Sequence, residues 1–247
     1  MPVVLREAWD TLVPDMTGRH GPLPPMMLAL TVVTGLVDAF SYLLLGHVFV
    51  ANMTGNVVFG GFALAGAPGF SLLASAVALV AFVAGAVSGG LAVHVARTHR
   101  GRQLLYALLA ETAFVAVALV VTVVSGGPYT GGVRFTLVAL LGIGLGVQNA
   151  AARTLAVPDL KTTVLTLTLT GLAADSRFAK GPGSRAGRRL LSAAAMLTGA
   201  CCGALAVLHG HPTLPLLGAV VLLAVASACA AALLRSDAPW TRPLVTA

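Results

Sequence analysis

Residues 26–56 read MMLALTVVTGLVDAFSYLLLGHVFVANMTGN, and this stretch decides the fold. Its first part, Met26–Val50, is apolar and longer than the roughly 20 residues that a helix needs to cross a bilayer. Asp38 lies in the middle of that part, where a carboxylate costs about 3 kcal/mol or more and rarely occurs without a role. A polar Asn/Thr/Gly cluster, Asn52 to Asn56, follows at once. The stretch predicts a membrane protein with a polar site inside.

The composition excludes an ordinary soluble domain. Of the 247 residues, 57% are hydrophobic and 9% are charged, with a mean hydropathy of +0.94. A soluble domain is about 25% charged. The apolar runs are continuous rather than alternating, which favours helices over a membrane β-barrel. The net charge of +7 comes from basic residues between these runs, so we expect a lipid bilayer, and no nucleic acid, as the partner.

Six apolar runs are long enough to span a membrane. They are Met26–Val50, Phe70–Ala96, Leu104–Val124, Phe135–Ala156, Leu190–Leu208 and Leu214–Leu234. Two shorter runs, Asn52–Ala65 and Thr162–Ala174, would cover only about 20 Å as helices. Runs of that length are typical of re-entrant or broken segments. The predicted fold class is all-α, a polytopic transmembrane helix bundle with about six full spans and two short re-entrant or broken segments.

The distribution of Lys and Arg indicates the topology. With six spans and the N-terminus inside, 14 of the 15 basic residues are cytoplasmic and only Arg134 is outside. If both short runs crossed, the basic loop 97–102 would be external. We therefore predict a multi-pass protein of the bacterial cytoplasmic (inner) membrane, with cytoplasmic tails over 1–25 and 235–247. A seven-span version with an external N-terminus is the alternative.

The N-terminal tail has no apolar segment of the signal-peptide type. Residues Val3 to Val13 fit a short amphipathic surface helix, and they also fit a disordered tail. The sequence leaves both interpretations open.

The chain divides into two similar membrane halves, 26–125 and 133–234. Each contains a long run, a short run and two more long runs, so three full spans give the halves opposite orientations. The first half has Gly35-Leu36-Val37-Asp38-Ala39 before its short run, and the second has Gly144-Leu145-Gly146-Val147-Gln148-Asn149-Ala150. An inverted 3+3 repeat with discontinuous segments at matching positions is typical of secondary transporters.

Asp38 has two interpretations. As a functional group it faces the bundle interior and binds a cation, a proton or a substrate amine. As a structural group it accepts a hydrogen bond from Tyr42, one turn later, or from Thr34, one turn earlier, and only stabilises the packing.

The cluster that contains Asn52, Thr54, Gly55 and Asn56 also has two interpretations, which are compatible. Glycine permits backbone conformations that other residues avoid, and Asn and Thr side chains can satisfy freed backbone groups or contact a ligand. The same residues can cap a turn between two helices. An exposed helix N-terminus there would attract anions.

Other polar residues lie in the second half. Gln148 and Asn149 are adjacent amides within a span, where they either bond between helices or line a site opposite Asp38. Thr162 and Thr166 share one face of a helix at i, i+4 spacing. An extended chain there would instead suggest a pore lining, and the helix is the favoured interpretation.

Small residues recur every four positions in two of the runs. Ala81, Gly85 and Gly89 form one stripe, and Gly142 and Gly146 form another. Such stripes let helices pack closely, so we interpret them as structural.

No pattern predicts a metal, a cofactor or catalysis. Cys201, Cys202 and Cys229 lie within apolar segments without a metal-ligand spacing, and the pair His209 and His211 has no neighbouring carboxylate or thiol. Motifs such as HExxH and GxSxG are absent from the sequence. We expect no cofactor and no enzymatic activity.

The quoted segments resemble the YoaK-like family of bacterial membrane proteins. The resemblance rests on Gly35-Leu36-Val37-Asp38-Ala39-Phe40-Ser41-Tyr42, on Val48-Phe49-Val50-Ala51-Asn52-Met53-Thr54-Gly55-Asn56, and on Gly146-Val147-Gln148-Asn149-Ala150 followed by Thr162-Thr163-Val164-Leu165-Thr166. In the second half a Thr-Gly pair is usual, and this chain has Thr166-Leu167. The resemblance implies about six spans in the cytoplasmic membrane and brings no substrate, cofactor or catalytic residue.

The sequence-based hypothesis is a small secondary transporter or permease for a small solute or ion, with Asp38 as its ion-coupling or cation-binding group near the midplane. A channel lined by the Thr-rich segment is one alternative. A non-transporting component that binds a protein or lipid is another. A homodimer would suit a six-span transporter, although no residue pattern requires one.

Overall fold

A computed structural model describes residues 3–96, 98–160, 170, 186–234 and 238–242. Within these ranges the chain is helical and contains no strand. The helices are α1 Val3–Leu12, α2 Leu23–Leu44, α3 Met53–Leu64, α4 Leu72–Val95, α5 Arg100–Ser125, α6 Gly131–Leu155, α7 Ala186–Leu208 and α8 Leu214–Leu233, and a 3-10 turn spans Pro239–Thr241. The predicted all-α class is confirmed.

Six helices, α2 and α4 to α8, are 20 to 26 residues long and apolar. A helix of 20 residues spans about 30 Å, the thickness of the hydrocarbon core. The polytopic bundle with six candidate spans is therefore as predicted. The second short run, Thr162–Ala174, and the candidate residues Thr162 and Thr166 within it, lie outside the described residues.

The first span ends earlier than predicted. The apolar run continues to Val50, but α2 ends at Leu44 because Gly46 and His47 both take positive φ angles, 84° and 55°. A left-handed conformation cannot continue a right-handed helix, and the His47 amide closes the turn on the Tyr42 carbonyl at 3.1 Å. Residues 45–50 continue the same apolar run, so hydrophobicity alone does not show that the helix ends before them.

Residues 45–52 turn back alongside α2, and α3 then runs outward again. The His47 Nδ1 atom lies 3.0 Å from the carbonyl oxygen of Gly69 in the α3–α4 loop. The chain therefore leaves α2 and enters α4 at about the same depth in the bundle. At 1.5 Å per residue the 12 residues of α3 cover only about 18 Å, so the first short segment is broken and re-entrant, as predicted.

Two helix pairs are in close backbone contact, α4 with α6 and α2 with α7. A Cβ atom at Gly85 of α4 would overlap the Ile143 carbonyl oxygen of α6, and one at Gly199 of α7 would overlap the Val32 carbonyl oxygen of α2. Only glycine permits this separation. Helices α5 and α8 pack on each other, and they also pack on α6 and α2 respectively.

Arg100 ties together the end of the bundle that carries both termini. Its buried guanidinium donates hydrogen bonds to the carbonyl oxygens of Arg19 at 2.9 Å, Leu155 at 2.6 Å and Trp240 at 3.3 Å. The N-terminal segment, the end of α6 and the C-terminal turn therefore share one positively charged donor.

Candidate functional site

Residues 48–52, after the turn that ends α2, form neither helix nor strand, so their backbone polar groups lack helical partners at membrane depth. Such groups cost several kcal/mol each if they stay unsatisfied in hydrocarbon. Asp38 meets two of them, because its Oδ1 atom accepts hydrogen bonds from the amides of Val50 and Ala51, each at 3.0 Å. The carboxylate therefore fixes the returning chain against α2, about two helical turns before α2 ends.

Asn56, in α3, also hydrogen-bonds to the backbone of the returning segment. Its Oδ1 atom accepts from the Phe49 amide at 3.0 Å, and its Nδ2 atom donates to the Phe49 carbonyl at 2.6 Å. The side chain is fully buried. One carboxamide thus satisfies both backbone groups of Phe49, which has no helical partners.

The partners of Asp38 differ from those considered from the sequence. The donors are backbone amides of the returning segment, rather than the side chains of Tyr42 or Thr34. Tyr42 instead stacks on Phe49, with ring centroids 4.9 Å apart. The Thr34 hydroxyl donates to the Leu30 carbonyl and accepts from Gln148 Nε2, both at 3.0 Å.

A cavity of about 1050 Å³ lies beside this arrangement. Its walls come from α2, the returning segment, the first turns of α3, and parts of α4, α6 and α7. Its described polar lining consists of Asp38, Asn52, Thr54, Asn149, Arg153 and Thr154. Its apolar lining includes Phe49, Phe59, Phe82, Ala86, Met196 and Ala200.

Asp38 is 9% exposed and borders this cavity. Both of its hydrogen bonds use Oδ1, so among the described residues Oδ2 accepts none. Asp38 lies six residues before the end of α2, about 9 Å from that end, and therefore off the midpoint of the helix. The carboxylate can hold the backbone with one oxygen and meet a cation or proton with the other.

The N-terminus of α3 opens onto the same cavity. Asn52 is the N-cap residue and its side chain makes no capping hydrogen bond. The first amides of a helix have no intrahelical partner and carry its positive dipole end. Gly55 in this first turn is in close contact with the Phe49 ring, since a Cβ there would lie 2.8 Å from it.

The adjacent amides of α6 face different ways. Asn149 lines the cavity, and Arg153 follows it one turn later. Gln148 is buried and donates to the Thr34 hydroxyl of α2. Asn149 therefore has the lining position considered from the sequence, and Gln148 makes the hydrogen bond between helices.

The structure thus gathers part of the predicted set around one cavity. Asp38, Asn52, Thr54, Gly55 and Asn149 line it. The other described members of the predicted set do not line the cavity. They are Tyr42, Asn56 and Gln148.

An aromatic cluster that was not predicted from the sequence lies near the α2 C-terminus and borders the cavity through Phe49 and Phe59. Its members are Tyr42, His47, Phe49, Phe59, Phe62 and Phe70. Neighbouring rings lie 4.9 to 6.2 Å apart, within the range of favourable aromatic pairs. The sequence does contain a signal for this cluster, because five of the chain's twelve Phe and Tyr residues fall between positions 42 and 70.

Within the described ranges, no group of three or more His, Cys, Asp or Glu side chains is placed to hold a metal ion.

Comparison with known proteins agrees with this architecture. A family model described as "Protein of unknown function (DUF1275)" matches residues 26–229. The UPF0700 transmembrane protein YoaK of Bacillus subtilis (strain 168) is 33% identical over 151 residues, which cover 61% of this chain and 65% of that protein. The chain therefore matches slightly less than two thirds of that relative's length. No solved structure matches the chain. The resemblance to the YoaK-like family is confirmed, and the protein is a multi-pass membrane protein.

Proposed function

The chain belongs to the DUF1275 family of proteins of unknown function, and from that premise we propose that it is a small secondary transporter. Its substrate or coupling ion binds in the cavity between Asp38, the N-terminus of α3 and Asn149. Asp38 is the group that takes up a coupling cation, a proton or the amine of a substrate. The reaction is movement of a solute, with no covalent step.

One observation carries the proposal: an intramembrane carboxylate holds a broken helix with one oxygen and borders a cavity. A carboxylate used only to hold backbone could be an amide, since Asn56 performs that role as a neutral side chain. Ionisable groups within spans mark ion and substrate pathways. Transporter sites form where discontinuous helices present a dipole end to the cavity.

Matching contacts in the two halves support an inverted repeat. A Cβ at Gly35 of α2 would collide with Met196 and Ala200 of α7, and one at Gly146 of α6 would collide with Phe82 and Ala86 of α4. The four partner residues line the cavity as two pairs from matching helices, α7 and α4.

This correspondence aligns the two polar positions as well. Asp38 follows Gly35 by three residues, and Asn149 follows Gly146 by three. We propose that the carboxylate and the amide occupy equivalent places in the two halves, and that the cavity lies between those halves. Only the first half then carries a charge at this position.

The aromatic cluster supports a direction of access. Its members Phe49 and Phe59 line the cavity near the α2 C-terminus, whereas Arg153 and Thr154 are exposed on the side of both chain termini. The distribution of basic residues supports a cytoplasmic location for both termini, in a bacterial inner membrane. We propose that this conformation opens inward, and that outward opening separates Phe49 and Phe59 from Tyr42 as α3 moves.

The test is solute-driven current in proteoliposomes on a solid-supported membrane, with a panel of ions, amines, organic anions and pH jumps. Asp38→Asn keeps an acceptor for Val50 and Ala51 but removes the charge. Asp10→Asn, at an exposed position of α1, is the matched control.

We expect one class of solute to drive current in the wild type and in Asp10→Asn but not in Asp38→Asn. That solute should also stabilise the wild type, by about 2.7 kcal/mol at one hundred times its dissociation constant. Unchanged transport in Asp38→Asn would disprove the role of Asp38. A folded wild type that shows neither current nor stabilisation across the panel would disprove the transporter proposal.

A further inference from the structure

Helix α1 carries an exposed apolar stripe. We define the α1 stripe as Leu5, Trp9 and Leu12, which are 56%, 60% and 51% exposed. Their spacing of four and three residues places them on one face of the helix. Val13 and Met16 continue the exposed apolar surface beyond the end of α1. Large apolar side chains at helical spacing on an uncovered face indicate an interaction surface.

A second face of α1 is docked on the beginning of α7. Glu7 Oε2 accepts a hydrogen bond from the Gly187 amide at 2.9 Å, and the Thr11 hydroxyl accepts one from Arg188 Nε at 3.3 Å. A Cβ at Gly187 would overlap the Val4 carbonyl. These contacts fix both the position and the rotation of α1.

That position is the end of a membrane span. Helix α7 is one of the six candidate spans and begins at Ala186, one residue before the docked glycine. The boundary between lipid headgroups and acyl chains lies at the end of a span. The α1 helix is therefore held at the depth where an amphipathic helix would enter that boundary.

The surface of α1 divides into three sectors about a third of a turn apart, at 3.6 residues per turn. One carries the α1 stripe, one faces α7, and the third carries the exposed charges Arg6 and Asp10. This arrangement suits a helix with protein, lipid and water on three sides. A tryptophan in the apolar sector is typical of a membrane interface.

We propose that α1 lies in the membrane interface on the side of the N-terminus, with Leu5, Trp9 and Leu12 inserted among lipid acyl chains. Binding strength of such a helix follows its buried apolar area, and it inserts about 5 to 10 Å below the headgroups. The helix anchors the start of α7 to the bilayer surface. This inference is independent of the transport proposal.

Tryptophan fluorescence tests it directly, because the chain has two tryptophans and Trp240 is buried. The full chain is reconstituted in nanodiscs of phosphatidylcholine brominated near the glycerol end of its acyl chains, or of unbrominated lipid. Trp9→Phe is measured in parallel, and the difference between the two proteins isolates the emission of Trp9.

We expect brominated lipid to quench the Trp9 emission about twofold or more and aqueous iodide to quench it weakly, as for an inserted interfacial helix. The Trp240 signal of Trp9→Phe should respond little to either quencher. As a second measurement, Leu5→Ser with Leu12→Ser should reverse this order and leave Trp9 accessible to iodide.

Strong iodide quenching of Trp9 without quenching by brominated lipid would overturn the inference. Protection from both quenchers would overturn it too, and would assign the α1 stripe to a second copy or another protein.

Discussion

Replacement of Asp38 by alanine should release the returning segment from α2. The Asp38 carboxylate accepts hydrogen bonds from the Val50 and Ala51 amides at 3.0 Å. Alanine leaves both amides without this acceptor. Val50 is fully buried and does not line the cavity, so water does not replace its lost acceptor.

The magnitude follows from two hydrogen bonds to a charged acceptor. Each is worth about 1.5 to 3 kcal/mol, which gives a loss of about 3 to 6 kcal/mol in the free energy of unfolding. Ala51 borders the cavity, where water can reach its amide, so the lower half of that range is expected. Asp38→Asn keeps a neutral acceptor worth about 0.5 to 1.5 kcal/mol per bond and should lie between alanine and the wild type.

Two measurements check this prediction. Reversible unfolding in mixed micelles with increasing SDS, followed by circular dichroism, gives the free energy. Hydrogen–deuterium exchange gives the local effect at the Val50 and Ala51 amides, which should exchange fast in Asp38→Ala and slowly in the wild type and in Asp38→Asn. Thr31→Val is the control, because among the described residues its hydroxyl bonds only to the Met27 carbonyl of the same helix.

An Asp38→Ala protein within about 1 kcal/mol of the wild type, below the value of a single charged hydrogen bond, would contradict this account. Unchanged exchange at both amides would contradict it independently. Either result would mean that the carboxylate does not hold the broken segment.

Three further substitutions test the fold around the site. Asn56→Leu strands both backbone groups of Phe49 and should cost about 2 to 5 kcal/mol in SDS unfolding, whereas Asn52→Ala, which loses no side-chain capping bond, should cost little. Gly85→Ala should destabilise by about 1 to 3 kcal/mol through overlap with α6; Gly90→Ala, with no neighbour within 4 Å, should instead stabilise α4 by up to about 1 kcal/mol. Arg100→Met removes donors to three carbonyls and should speed protease cleavage of both terminal segments several-fold, an effect that the exposed control Arg102→Met should not show.

The sequence predicted the spans well because span length and apolarity follow directly from the thickness of the bilayer. It predicted the first broken segment for the same reason, since the run that became α3 is too short to cross. It failed at the end of α2, where Leu45 to Val50 are as apolar as the helix before them. The turn at Gly46 and His47 decided that boundary, and hydropathy does not report backbone angles.

The candidate site was predicted only in outline. Several of the polar residues singled out in the sequence line the cavity, but their partners were not predicted, because Asp38 bonds to amides twelve and thirteen residues away. Backbone groups have no side-chain identity, so residue patterns cannot show which of them a carboxylate will meet. For the same reason Asn149 and Gln148 look equivalent in the sequence and face different surroundings in the structure.

The sequence by itself thus determined the membrane class, the six candidate spans and the family, because each depends on local apolarity or on residue identity. Only the tertiary structure decided that Asp38 and Asn56 hold the irregular segment after α2, that Asn149 rather than Gln148 reaches the cavity, and that clustered aromatic rings line one side of it. Those features depend on which helix faces approach each other. Glycine contacts between distant segments set that approach. The glycine stripes in the sequence indicate close packing, but they do not show which helices pack together.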